Sequence, residues 1–323
     1  MCIRDSAHHH YWPLLWENET TFHIDGNDYM NTEGIYVHDI LTDSALQYIR
    51  DKQENPFFLF VAYALPHYEL TVPEDSKEPY KNLGWPKEPR EKAHYRDDED
   101  GNIAYAGMVS RMDRDVGRIL DLLEELALDK NTLVIFTSDN GPVYERNDRF
   151  FNSNGVLRGG KRDLYEGGIR VPFVAWWPGE IEPGTQSDYP SAFWDFLPTA
   201  CELAGIEPTE KSLNGISCLP TLMGQKQKNR DTVLYWEFNE GEGPIQAIRK
   251  GDWKAVKYFE KPIELYNLAS DISETTDLAL RQPAQAASML ELLDNTRTHS
   301  EELPLTKRKS WGSGSRKRPI GSE

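Results

Sequence analysis

The sequence predicts an α/β fold with a mainly parallel sheet flanked by helices, followed by a smaller α+β subdomain on an antiparallel sheet. Three observations carry this expectation. The stretches Phe57–Tyr63, Thr132–Ser138 and Val171–Trp177 are apolar almost throughout, as strands buried on both faces must be. Amphipathic helical patterns lie between such strands, the arrangement that covers a parallel sheet. Beyond about residue 228 the texture changes to short strands joined by tight turns.

Taken in order, Thr42 or Asp43 can cap a helix running to about Asp51, with Leu46 and Ile49 on its apolar side. Pro56 ends the connection and the Phe57–Tyr63 strand follows. Residues 66–100 form a polar, proline-rich excursion. Ile103, Ala106, Val109, Met112, Val116, Ile119, Leu123 and Leu126 then recur at three- and four-residue steps, which predicts a long amphipathic helix. After the next two strands, Phe193–Ala204 reads as a helix stopped by Gly205. The later strands are Thr232–Phe238, Gln246–Arg249, Trp253–Tyr258 and Glu264–Tyr266, with Lys250-Gly251-Asp252 as a hairpin turn. A helix over Pro283–Thr296 closes the unit. The expected domains are 1–228, 229–305 and a basic tail, 306–323.

Composition limits the function classes. A chain of 323 residues with 38% hydrophobic residues can bury a sizeable core. Its net charge of −17 argues against nucleic acid as the main partner. The tail runs the other way, with six Lys/Arg against one Glu. It is expected to be a solvated, disordered end; an arm for nucleic acid or an anionic surface is the alternative. Cys2, Cys201 and Cys218 are too few and too scattered for a disulfide framework or a zinc site. No apolar run approaches the ~18–20 residues of a membrane span, and the N-terminus has no signal-peptide core.

In an open parallel sheet, ligands gather beyond the carboxyl ends of the strands. Two strands here end in reactive side chains. One finishes Ala64-Leu65-Pro66-His67 and the other Ser138-Asp139-Asn140-Gly141. Lys161 follows two glycines in the run Leu157–Pro172, on backbone free to approach a ligand. Each feature has an ordinary reading. Asp-Asn-Gly is a common turn, a Pro-His at a strand end is commonly structural, and Lys161 could be a surface lysine.

The ordered set Pro66-His67, Phe136–Pro142, Leu157–Lys161 and Tyr165–Pro172 resembles the formylglycine-dependent sulfatases of the arylsulfatase type, over roughly residues 7–300. Singly these motifs are weak; together they are specific. The resemblance implies an alkaline-phosphatase-like fold and hydrolysis of sulfuric esters, on a sulfated small molecule or glycan. It implies one Ca²⁺ held in part by Asp139 and Asn140, since a carboxylate and an amide oxygen suit a hard cation. Related zinc phosphatases place a His beside that Asp. His67 and Lys161 become catalytic and substrate-binding residues, with Lys161 neutralising sulfate oxygens and charge on the bridging oxygen. Arg158 and Arg162 are read as structural or solvated, and Glu166–Arg170 as fixing the loop rather than doing chemistry. A hydrated formylglycine provides the nucleophile in the family, and export to the periplasm or the cell exterior is the family habit.

The sequence also departs from that pattern. Cys218-Leu219-Pro220-Thr221-Leu222 imitates the Cys/Ser-x-Pro-x-Arg motif but has Leu where Arg is needed, and Cys2–Ser6 lacks the proline. Asp97-Asp98 resembles the family's upstream calcium pair only in composition, and the segment with a second Lys and His is absent. The expectation is therefore an N-terminally truncated chain, inactive as it stands, whose sheet is incomplete at its start. The alternatives are a phosphate or phosphonate ester hydrolase of the same superfamily, or a non-catalytic binding protein. His8, His9 and His10 could bind metal adventitiously, line a pocket rim or lie in solvent. Tyr11, Trp12, Trp16 and Trp85 could stack on a sugar or aryl group, or simply pack.

Overall fold

A computed structural model describes residues 9–28, 32–87, 98–143, 148–209, 213–227, 233–239, 243–301 and 304–306. Cys2, His8, Asp97, the start of the expected 232–238 strand and the tail from Lys307 lie outside the described residues.

Leu14–Glu17 (β1) and Thr20–His23 (β2) form an antiparallel hairpin in register Glu17↔Thr20, turned at Asn18 with φ 55°. The sequence reading missed it, although Asn is among the few residues that accept that backbone. Helix α1 spans Val37–Lys52, with Tyr36 at its N-cap position in place of the expected Thr42 or Asp43. Thr42 is no cap. It is fully buried inside the helix, and its hydroxyl donates to the His38 carbonyl oxygen at 3.0 Å.

The expected strand Phe57–Tyr63 is a second correction, because no strand is formed there among the described residues. The segment still alternates like one. Phe57 and Leu59 pack into a core with Leu46, Ile49, Leu122 and Leu123, while Phe58 and Phe60 are 69% and 78% exposed. Apolar sequence can extend and bury one face, but a ladder needs a neighbouring strand to receive its hydrogen bonds.

Helix α2, Gly101–Glu125, buries Ile103, Ala104, Met108, Leu122 and Leu123. Its Arg111 is 7% exposed and forks onto Asp39 at 2.5 and 2.8 Å and Asp75 at 2.9 Å, the bidentate geometry that suits guanidinium burial. Val134–Thr137 (β3) and Phe173–Trp176 (β4) pair with each other. The larger parallel sheet is not formed among the described residues. Helix α3, Phe196–Ala204, stops at Gly205 in the left-handed region, φ 66°.

The second half follows the sequence closely. Leu234–Phe238 (β5), Ile245–Lys250 (β6), Trp253–Tyr258 (β7) and Ile263–Asn267 (β8) make an antiparallel meander in that order. Helix α4, Pro283–Thr296, lays Ala286, Met289 and Leu293 on one face against Ile248, Ala255 and Leu265. The other face presents Ala247, Val256 and Tyr266 to Leu164 and Tyr165. Period-two alternation thus gives the sheet two buried faces, one under a helix and one under a loop.

The chain divides into two units. One comprises residues 1–135, 145–151 and 175–181; the other comprises 136–144, 152–174 and 182–323. Among the described residues, no helix is long and apolar enough to cross a membrane. Leu293 is fully buried beneath the meander, so Leu293→Ala should cost about 2–5 kcal/mol in urea denaturation with an unchanged m-value.

Candidate active site

In the first unit, His67 lies on a turn whose N–H donates to the Ala64 carbonyl oxygen at 2.9 Å, just past a cis Leu65–Pro66 bond. It belongs to a group of imidazoles that the sequence does not assemble. His10 is 2% exposed, and its pKa is pushed down to about 3, first by burial and next by the neighbouring His67 and His38. Its Nε2 has no hydrogen-bond partner among the described residues, as befits a neutral ring. His9 Nδ1 lies 2.5 Å from Glu69 Oε2, and His38 Nε2 lies 2.9 Å from Asp115 Oδ2, with both carboxylates fully buried. Burial also lowers the His38 pKa, against the pull of Asp115.

Of the alternatives left open for the histidines, solvent is removed for His9 and His10. Among the described residues no group of three or more metal-ligating side chains forms. No spacing pattern could have announced this cluster, because its members come from a loop, a helix and a turn.

The second unit holds the other three candidates. Strand β3 ends at Thr137, and its continuation delivers an exposed Asp139 and a half-buried Asn140. The amide of Asn140 donates through Nδ2 to the Gly141 carbonyl oxygen at 2.9 Å, which leaves Oδ1 as a directed acceptor. Gly141 N–H donates to Gly168 O at 2.9 Å, and Lys161 N–H donates to Pro142 O at 2.8 Å. The strand end and the lysine loop therefore share one backbone framework. A Cβ on Gly141 would strike the Gly167 carbonyl oxygen, and one on Gly168 would strike the carbonyl oxygens of Asp163 and Gly160. Gly159 takes φ 77°, and Gly160 N–H donates to Asp163 Oδ2 at 3.0 Å.

An exposed carboxylate with no ion pair among the described residues, next in sequence to an amide whose Nδ2 is engaged, fits a hard divalent cation such as Ca²⁺. These two side chains supply only part of the six to eight oxygens it takes. The other sequence candidates are accounted for differently. Cys218 is buried, and its sulfur and N–H both meet the Thr199 hydroxyl. Asp98 is paired with Lys77 at 2.7 Å. Tyr11 belongs to a core cluster, Trp12 stacks on His9, and Trp85 stacks on Tyr80.

Two measurements follow from this geometry. Gly141→Ala should destabilise the second unit by about 1–3 kcal/mol through overpacking, read in urea denaturation followed by tryptophan fluorescence. The second concerns His10. Its pKa is about 3 when folded and 6.5 as the ordinary value, so the unfolded chain binds the extra proton between them and stability falls as pH drops through that window. His10→Asn should remove about 1.4 kcal/mol of this loss per pH unit, measured by urea titrations at several pH values within it.

The family profile described as Sulfatase matches residues 7–206, and one described as N-sulphoglucosamine sulphohydrolase, C-terminal, matches residues 159–300. The chain is similar to the steryl-sulfatase of Mus musculus, at 34% identity over 225 residues, covering 67% of this chain and 32% of that protein. It is similar to the N-acetylgalactosamine-6-O-sulfatase of Bacteroides thetaiotaomicron, at 29% identity over 285 residues, covering 81% and 51%. The crystal structure of Ps i-CgsB in complex with k-i-k-neocarrahexaose superposes with a TM-score of 0.71 at 28% identity, covering 85% of this chain and 57% of that one. The chain thus spans a third to a half of the length of these curated relatives.

Proposed function

The chain belongs to the sulfatase family, and from that premise we propose that it carries the cation- and sulfate-holding part of a sulfuric ester hydrolase site. The observation that supports this most is the pair of hydrogen bonds from Gly141 to Gly168 and from Lys161 to Pro142. They join the strand end that carries Asp139 and Asn140 to the loop that carries Lys161, which supports a shared role in holding an oxyanion.

In this reading Asp139 and Asn140 hold one Ca²⁺ through their side-chain oxygens. Bound there, the ion would supply Lewis-acid polarisation of a sulfate oxygen and a template for orientation. Lys161 binds sulfate and offsets the charge that grows on the bridging oxygen as the ester bond breaks. His67 contacts sulfate or gives a proton to the leaving alcohol. Burial keeps the neighbouring His10 ring uncharged. The substrate is a sulfated glycan or sulfated small molecule, and export to the periplasm or the cell exterior belongs to the same reading.

Formylglycine does not fit the residues present. The 323-residue sequence contains no Cys/Ser-x-Pro-x-Arg motif, and Cys218 is engaged with Thr199 inside the protein. In this reading the chain by itself turns over no sulfate ester.

Calorimetric titration tests the cation site directly. Ca²⁺ should bind the wild-type chain, and Asp139→Ala should weaken it by on the order of tenfold or more. Two bound Zn²⁺ in place of Ca²⁺ would favour a phosphate or phosphonate ester hydrolase. The purified chain, checked by mass for formylglycine, should leave 4-nitrophenyl sulfate intact. Turnover would refute this reading.

A further inference from the structure

Glu166, Lys254 and Glu274 form a charged triad in the second unit with at most 2% exposure each. Lys254 Nζ on β7 lies 2.9 Å from Glu166 Oε1 and 2.8 Å from Glu274 Oε1. Glu274 Oε2 accepts the Glu166 N–H at 2.6 Å, and the Glu274 carbonyl oxygen accepts Arg158 Nη1 at 2.9 Å. Burial raises the Glu274 pKa, and Lys254 opposes the rise.

Taking three charges out of water is costly, and apolar replacements of such groups are commonly neutral or stabilising. Stability is therefore a poor explanation for the triad. Geometry is a better one. Glu166 opens the one-turn helix Glu166–Ile169, and the next two residues are the glycines that meet the end of β3. Gly167 N–H donates to Arg158 O at 2.7 Å, and Gly168 O receives Gly141 N–H. The path from the meander to Asp139 and Asn140 is thus continuous: Lys254, Glu166, Gly167-Gly168, Gly141. Tyr165 reinforces it, with its hydroxyl on Glu264 Oε2 at 2.6 Å and its ring under the Arg158 guanidinium at 3.8 Å.

We infer that Lys254 is a positioning residue, which through Glu166 and Glu274 sets the Asp139-Asn140 strand end against the Lys161 loop. Its functional meaning rests on the cation site proposed above; its structural content does not. Lys254 touches no reacting group. It makes the antiparallel meander a part of the site's framework.

Residue-resolved amide hydrogen exchange on the full chain tests this. Lys254→Met should speed exchange at Gly141 and Lys161 by about tenfold or more relative to the β6–β7 ladder amides. Leu293→Ala, a core deletion on the opposite face of the meander, should speed the ladder without singling out those two. Lys254→Arg should restore part of the protection at Gly141. Should Lys254→Met fail to fold, the milder Glu274→Gln should show the same selective loss. Exchange at Gly141 and Lys161 that matches wild type, or rises only in proportion to the ladder, overturns the inference. Calcium titration of the same variants separates the two claims. Selective exchange with weakened Ca²⁺ binding supports both, whereas selective exchange in a chain that binds no Ca²⁺ upholds the positioning role and removes the cation site.

Discussion

The second unit depends on a close approach of two backbones that no side chain could share. Gly141 faces the carbonyl oxygen of Gly167, and its N–H reaches Gly168 at 2.9 Å. Because the contact is backbone to backbone, it fixes direction more tightly than a pair of mobile side chains could. Everything reactive in that unit is referred to it. Asp139 and Asn140 leave on one side of the contact, and Lys161 returns to Pro142 on the other.

Around that contact the protein spends charge where apolar packing would suffice for stability. Arg158, Glu166, Lys254, Glu264 and Glu274 tie the glycine turn to the meander through hydrogen bonds and ion pairs. Directional bonds hold an angle and a register, which dispersion contacts between branched aliphatics do not. The meander rests on α4 through ordinary core packing. Its opposite face carries the loop, so the two faces of a single sheet divide stability from placement.

The first unit uses burial in another way. Its imidazoles and carboxylates sit among aromatic rings, with Tyr36 tilted against both His10 and His38. Desolvation keeps His10 uncharged, while the buried acids Glu69 and Asp115 each face a ring nitrogen. Neutral histidine beside candidate His67 is therefore a product of exclusion from water, with charge repulsion from the other rings adding to it.

The sequence by itself determined the elements whose signal is local. Short strands around a Gly-centred turn marked the meander, three- and four-residue steps marked α2, and the two glycines before Lys161 marked backbone free to approach a ligand. It also singled out the candidates His67, Asp139, Asn140 and Lys161, and yielded the family that the Sulfatase profile matches. What only the tertiary structure decided was non-local. Whether Phe57–Tyr63 pairs depends on a neighbouring strand, whether Thr42 caps or is buried depends on what covers it, and whether Lys254 meets Glu166, 88 positions away in sequence, depends on the chain between them folding correctly. Hydrophobic pattern constrains which face of an element is buried, but it carries no information on which distant residue will lie opposite.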